Sequence, residues 1–191
     1  VIPAHFVPAF DRALAQHLAE IDAIAAHPGA PDFENTLAAL DSSGRLLDRI
    51  TLLFHNLTAS ETSAALQTVQ LEMAPQLAAH ENAVFMHAGL FGRIDALHGQ
   101  RHALGLDAEQ LRLLERVHLD FVRAGARLQG SQRLRYGAIM AELATLFTRF
   151  SQNLLAEESV YTLELRGEAD LAGLPNFVRA AARSAAQQRR L

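Results

Sequence analysis

The sequence contains no cysteine, no tryptophan and no lysine, and it has only 2 tyrosines. Without cysteine there is no disulfide and no thiolate metal ligand, so packing and hydrogen bonds must hold the fold. Without lysine, all 17 basic side chains are arginines; they lie among 21 acids for a formal net charge of −4. That balance leaves no domain-wide basic stripe and excludes nucleic acid as an expected partner. Only Arg183–Arg190 is locally basic, and a solvated helix end accounts for it. No apolar run approaches the ~20 residues that cross a bilayer, so no membrane partner is expected. The opening Val1-Ile2-Pro3-Ala4-His5 lacks the charged stretch and apolar run of a secretory leader, and it lacks an initiator methionine. The chain therefore reads as a trimmed piece of something longer, with a cytoplasmic location expected.

What is present points to helices. Half of the 191 residues are hydrophobic and 20% are charged, a globular composition in a chain long enough to bury a core. Ala, Leu, Gln, Glu and Arg dominate, which favours helix over sheet. Phe6, Phe10, Leu14, Leu18, Ile21 and Ile24 or Ala25 recur three or four apart and define one helix face, stopped by His27-Pro28-Gly29-Ala30-Pro31. A second helix opens at Asp32, an N-cap with Glu34 in the first turn. Its seam runs Leu37, Leu40, Gly44, Leu47, Ile50, Phe54 and Leu57. Gly44 on that seam predicts either close approach of a neighbouring backbone or a local kink after Ser42-Ser43.

Ser60 is the expected cap of a third helix with Leu66, Val69, Met73, Leu77 and Val84 on its face and a kink at Pro75. A break around Gly89 precedes a stripe of Leu90, Ile94 and Leu97. Asp107-Ala108-Glu109-Gln110 has capping-box spacing, and Leu111, Leu114, His118, Phe121, Gly125 and Leu128 follow in regular steps. Beyond Gly130, Ser131 is positioned to cap a long helix whose face is Leu134, Ile139, Leu143, Leu146, Phe147, Phe150 and Leu154.

The period then changes. Val160-Tyr161-Thr162-Leu163-Glu164-Leu165 alternates and is β-branched or aromatic, the single strand candidate in the sequence. A lone strand needs a partner for its backbone edge, and no second segment supplies one. Either a part outside this sequence pairs with it or it stays irregular. The expected fold is all-α, of antiparallel helical hairpins with at most one short strand near the C-terminus. Residues 1–159 form the helical domain, and 160–191 begin a connection onward.

Nine histidines invite a metal hypothesis. A zincin helix needs His-Glu-x-x-His, two imidazoles one turn apart around a general-base Glu. The one His-Glu pair, His80-Glu81, is followed by Val84 where the second histidine belongs, so the motif fails. His98 and His102 are one turn apart but supply two ligands and no base. Glu115-x-x-His118 and Asp95-x-x-His98 resemble di-iron bundle motifs, but the seams of the other long helices carry no inward Glu. A phosphate loop, a G-x-S-x-G elbow and a thiol nucleophile are all lacking. No catalytic, cofactor-binding or metal residue is assigned, and no cofactor is expected in this chain.

Longer stretches of wording carry more. His5-Phe6-Val7-Pro8-Ala9-Phe10, Pro31-Asp32-Phe33-Glu34-Asn35-Thr36-Leu37, Leu90-Phe91-Gly92-Arg93-Ile94, Leu104-Gly105-Leu106-Asp107, Phe121-Val122-Arg123-Ala124-Gly125-Ala126, Phe150-Ser151-Gln152-Asn153-Leu154-Leu155 and Glu168-Ala169-Asp170-Leu171-Ala172-Gly173-Leu174-Pro175 occur in order over nearly the whole chain. Together they resemble the N-terminal region of the thimet oligopeptidase and oligopeptidase A family of zinc metallopeptidases, in wording nearest the bacterial peptidyl-dipeptidase branch. The resemblance implies an intact protein more than three times this length, with a deep channel between two helical lobes, zinc as cofactor and oligopeptides as substrate. It places the zinc motif in the C-terminal half, so this chain would be channel wall, inactive alone. A surface left bare by truncation would favour homodimer formation. The alternative is a stand-alone helical module that binds a peptide or protein in a groove.

Overall fold

A computed structural model of the chain describes residues 2–189. Among them every regular element is helical. After a 3-10 turn at Pro3–His5 come α1 (Phe6–Ala25), a π-helical stretch Phe33–Ala38 continued as α2 (Ala39–Ser42), α3 (Arg45–Ser60), α4 (Ala64–Phe85), α5 (Ala88–Gln100), α6 (Ala108–Arg123), α7 (Gly130–Val160), α8 (Glu168–Leu171) and α9 (Asn176–Arg189). The chain divides into two compact units, Val1–Asn153 and Leu154–Leu191, with the division inside α7.

In the first unit α1 is the central element, packed on α3, α4 and α5, while α5 packs on α6. One core cluster joins Phe6, Phe10, Phe54, Leu66, Val69 and Met73. A second joins Ile21, Ile24, Leu37, Val84, Leu90, Ile94, Leu97, Leu114 and Phe121. All of these lie on the apolar stripes of the sequence.

Helix ends follow local chemistry. Asp32 and Asn35 form a reciprocal cap: the Asn35 amide donates to Asp32 Oδ1 at 2.7 Å and the Asp32 amide to Asn35 Oδ1 at 3.0 Å. Asp107 and Gln110 do the same at 2.8 and 3.1 Å, on the residues where the spacing placed a capping box. The cap of α4 is Ser63 instead of Ser60, which lies three residues earlier in the last turn of α3. The break expected near Gly89 falls at Met86-His87: His87 caps α5 through Nδ1, which accepts from the Leu90 amide at 3.1 Å. Pro75 lies within α4, which runs without interruption from Ala64 to Phe85.

Two regions bear on the sequence expectation. Of the two alternatives for the strand candidate, the irregular one is found over 161–166, where among the described residues nothing pairs with its backbone edge. And α7, whose apolar face was expected to pack, has no buried residue: Leu134, Leu146, Phe147 and Phe150 are all exposed, Phe147 by 66%. The stripe is there, but no element of the first unit covers it. Among the described residues no helix is long and apolar enough to cross a membrane.

Candidate functional site

Polar chemistry in the first unit gathers at three places. The first is Arg93 on α5, which is 7% exposed and faces no carboxylate. Its Nε donates to Thr36 Oγ1 at 3.2 Å, Nη1 to the carbonyls of His27 and Gly29 at 3.0 and 3.1 Å, and Nη2 to Asn35 Oδ1 at 2.5 Å. A planar fork with fixed donors suits this set where an ammonium would not. It ties the Pro28–Pro31 loop and the 33–38 helix onto α5. Thr36, fully buried, donates in turn to Asn35 Oδ1 at 2.9 Å. Two of the stretches that carry the family resemblance, 31–37 and 90–94, thus meet at one guanidinium.

The second place is the contact of α5 with α6. His118, 8% exposed, donates from Nε2 to Asp95 Oδ1 at 2.8 Å, and Arg127 reaches the same oxygen at 3.4 Å. The His118 hydrogen bond, ahead of the Arg127 one, holds the Asp95 carboxyl below the usual carboxylate range. The His98 ring stacks on His118 with centroids 3.8 Å apart and planes 4° from parallel, and Phe91 continues the stack on His118 at 5.8 Å. Burial, then the neighbouring His118 and Arg101, push His98 below the ordinary imidazole value. These are the residues of the two Glu-x-x-His-like motifs, and the geometry gives them other work. Imidazole lone pairs lie in the ring plane, so two parallel rings at van der Waals distance cannot aim them at one ion. His102 is exposed, away from this stack. Glu115 faces Arg101 and Arg112 at 3.8 and 3.9 Å instead of His118.

The third place is between α1 and α4. His17 Nδ1 and His80 Nε2 are 2.9 Å apart, and His17 Nε2 lies 3.2 Å from Ser43 Oγ. Val84, which stands where a zincin would carry its second histidine, is a core residue packed with Ile21, Ile24 and Leu90. Among the described residues no three His, Asp or Glu side chains are grouped so as to hold a metal ion.

In the second unit, residues 161–166 and α9 enclose a hollow of about 640 Å³. Arg166 pairs with Glu164, and Arg179 with Glu168 at 3.1 Å. Arg189 donates to the Tyr161 carbonyl and to Thr162 Oγ1. Of the locally basic tail, Arg190 lies outside the described residues.

Sequence reasoning missed the Arg93 node and the His17–His80 pair. Their partners are separated by 57 and 63 positions, and no spacing rule signals such a meeting. Gly44 was the one hint, as a seam position needing room.

No family model matches the chain. Among curated proteins it is similar to dipeptidyl carboxypeptidase of Salmonella typhimurium, 43% identical over 185 residues that make up 96% of this chain and 27% of the relative. The corresponding enzyme of Escherichia coli is 40% identical over 187 residues, 98% of this chain and 28% of the relative. Oligopeptidase A of Salmonella typhimurium is 29% identical over 185 residues, 97% of this chain and 27% of the relative. The chain belongs to the dipeptidyl carboxypeptidase and oligopeptidase A family, as its N-terminal region. It spans little more than a quarter of the length of these relatives.

Proposed function

We propose that the chain is the helical, channel-wall part of a cytoplasmic zinc metallopeptidase that hydrolyses oligopeptides and releases C-terminal dipeptides. The observation that carries this reading is the 43% identity, over 96% of the chain, to a protein named dipeptidyl carboxypeptidase. The geometry is consistent with a scaffold role: His17, His80, His87, His98 and His118 are engaged in stacking, capping and hydrogen bonds inside the first unit. In the intact protein zinc would supply an activated water, held by residues outside this chain. Walls of packed helix would narrow the approach and admit short peptides rather than folded proteins.

The test compares two proteins on an N-terminally blocked tetrapeptide. The intact reading frame containing this chain should release the C-terminal dipeptide, lose that activity to a chelator and regain it with zinc. The 191-residue chain alone should release none. A reading frame without His-Glu-x-x-His, or chelator-sensitive dipeptide release by the short chain, would sink the proposal.

The bare face of α7 supports a second reading, that the isolated chain is an interaction module. Leu134, Ile139, Leu143, Leu146, Phe147 and Phe150 form an exposed apolar row in the first unit. Contiguous surface of this kind marks a contact site. In the intact enzyme the remainder of the protein would cover it; in the isolated chain a second copy would, giving a homodimer. Sedimentation of the 191-residue chain over a hundredfold concentration range should show a monomer–dimer equilibrium, weakened by Phe147→Glu. A monomer throughout would remove the dimer.

A further inference from the structure

The His17–His80 pair, with His80 buried and His17 half-buried, is the titratable group that the peptidase reading does not use. It lies where α1 and α4 meet the Ser43–Gly44 joint between α2 and α3. The direction of each hydrogen bond follows from the far end of the chain of contacts. Ser43 Oγ is 2.7 Å from the Leu40 carbonyl, which can only accept, so the hydroxyl proton points there. The Ser43 oxygen then accepts from His17 Nε2–H across 3.2 Å. A neutral His17 is left with a bare Nδ1, which accepts from His80 Nε2–H across 2.9 Å. What remains is His80 Nδ1, a buried lone pair without a partner, on a residue 8% exposed. Both rings are thereby fixed as neutral Nε2–H tautomers.

Gly44 is the part of the joint this relay guards. Its φ is 71°, a left-handed conformation that glycine adopts without strain. Its amide donates to Glu20 Oε2 at 2.7 Å. A Cβ there would stand 3.1 Å from two atoms of the His17 ring, so the imidazole is the wall against which the joint closes.

We propose that His80, His17 and Ser43 form an acid-opened latch on the α2–α3 joint, closed while both imidazoles are neutral and released when the pair takes up protons. An added proton has two places to go. On His17 Nδ1 it turns the acceptor into a donor facing His80 N–H, and the bond between the rings is lost. On His80 Nδ1 it keeps that bond but sets a cation in a nine-tenths buried position with no acceptor, which is costly. The second proton separates the rings in either case.

The charged groups facing His17 are Glu20 on its own helix and Asp48 on α3, while α4 presents His80. Burial outweighs the attraction of the two carboxylates and lowers His17 below the ordinary imidazole value of 6.5. Burial, then repulsion from His17, lowers His80 as well. Glu20 is lowered by its hydrogen bonds from Gln16 and from Gly44 N–H, so it stays a carboxylate through the transition. Because both histidines bind protons less readily folded than unfolded, their contribution to stability is complete above pH 6.5. It is lost as the pH falls from there through the lowered folded values.

The test is amide hydrogen exchange at Gly44 in the 191-residue chain, followed by NMR and corrected for the intrinsic rate. Between pH 7.5 and 5.5 its protection should fall by about tenfold or more. In His80→Leu, which has no donor for His17 Nδ1, protection should already be low at pH 7.5 and fall further by much less than in the unaltered chain. Constant protection in the unaltered chain, or protection in the variant equal to that of the unaltered chain at pH 7.5, overturns the latch. If His80→Leu does not fold, the unaltered chain still decides. At pH 7.5 the imidazole nitrogen spectrum must show Nε2–H on both rings, with a coupling across the His80 to His17 hydrogen bond. An Nδ1–H tautomer on either ring, or no such coupling, overturns it.

Discussion

Phe10→Ala is expected to destabilise the first unit by about 3–5 kcal/mol, the range for removing a fully buried aromatic ring. Phe10 is 0% exposed and meets Phe54 edge to face, with centroids 5.5 Å apart and planes at 87°. Phe54 receives Phe6 in the same manner at 4.9 Å. Deleting one ring removes its buried area and one of the two edge contacts on Phe54, each such contact adding about 0.5–1.5 kcal/mol beyond burial. Met73, also 0% exposed in this cluster, is the side chain best able to lean into the void and recover part of the loss. Urea unfolding followed by circular dichroism checks the value, and thermal unfolding should fall by roughly 2–4 °C for each kcal/mol in a unit of this size. A loss below about 1 kcal/mol would mean that these three phenylalanines are not packed as described.

That these rings are buried could be inferred from the sequence, because Phe6, Phe10 and Phe54 each fall on an apolar stripe at helical spacing. The same logic found Ile21, Ile24, Leu37, Val84, Leu90, Ile94, Leu97, Leu114 and Phe121, all of which meet in the second cluster. Periodicity works there because burial is a property of a helix face, and a face is written in steps of three and four. The cap at Asp107 was equally legible, since its partner Gln110 is three residues away.

Periodicity misled at α7, where a regular stripe is exposed. A pattern says that a face needs cover and does not say which molecule or segment supplies it. Strand propensity at 160–165 left its outcome open for a related reason. Alternation proposes an edge, but a ladder needs a second strand, and without one the backbone of 161–166 stays irregular. At Gly44 two readings competed: the kink holds, since the helix breaks there with positive φ, while the neighbour that comes close is the His17 imidazole and not the expected backbone. The polar nodes had no sequence signal at all. A hydrogen bond between positions 17 and 80 depends on how α1 lies against α4, which no local rule encodes.

Arg93→Met is expected to cost about 2–4 kcal/mol, with the loss arising from unpaired acceptors more than from missing volume. Methionine keeps most of the aliphatic stem, so the core around Ile94 and Leu97 changes little. Two effects oppose each other. Removing a buried charge that has no carboxylate beside it relieves a desolvation penalty. Against this, four charge-assisted donations vanish together: to Thr36 Oγ1, to Asn35 Oδ1 and to the carbonyls of His27 and Gly29. Hydrogen bonds to charged groups contribute about 1.5–3 kcal/mol each, so the losses exceed the relief even where water recovers the two loop carbonyls. Arg93→Lys separates the two effects, because it keeps the charge and gives up the fork. One ammonium cannot span the Nε, Nη1 and Nη2 positions at once, so lysine should restore less than half of the stability. Both variants should also speed proteolysis within residues 27–36, since that segment is held to α5 through this side chain. Equal stability of Arg93→Met and the unaltered chain in urea would show that the guanidinium holds nothing in place.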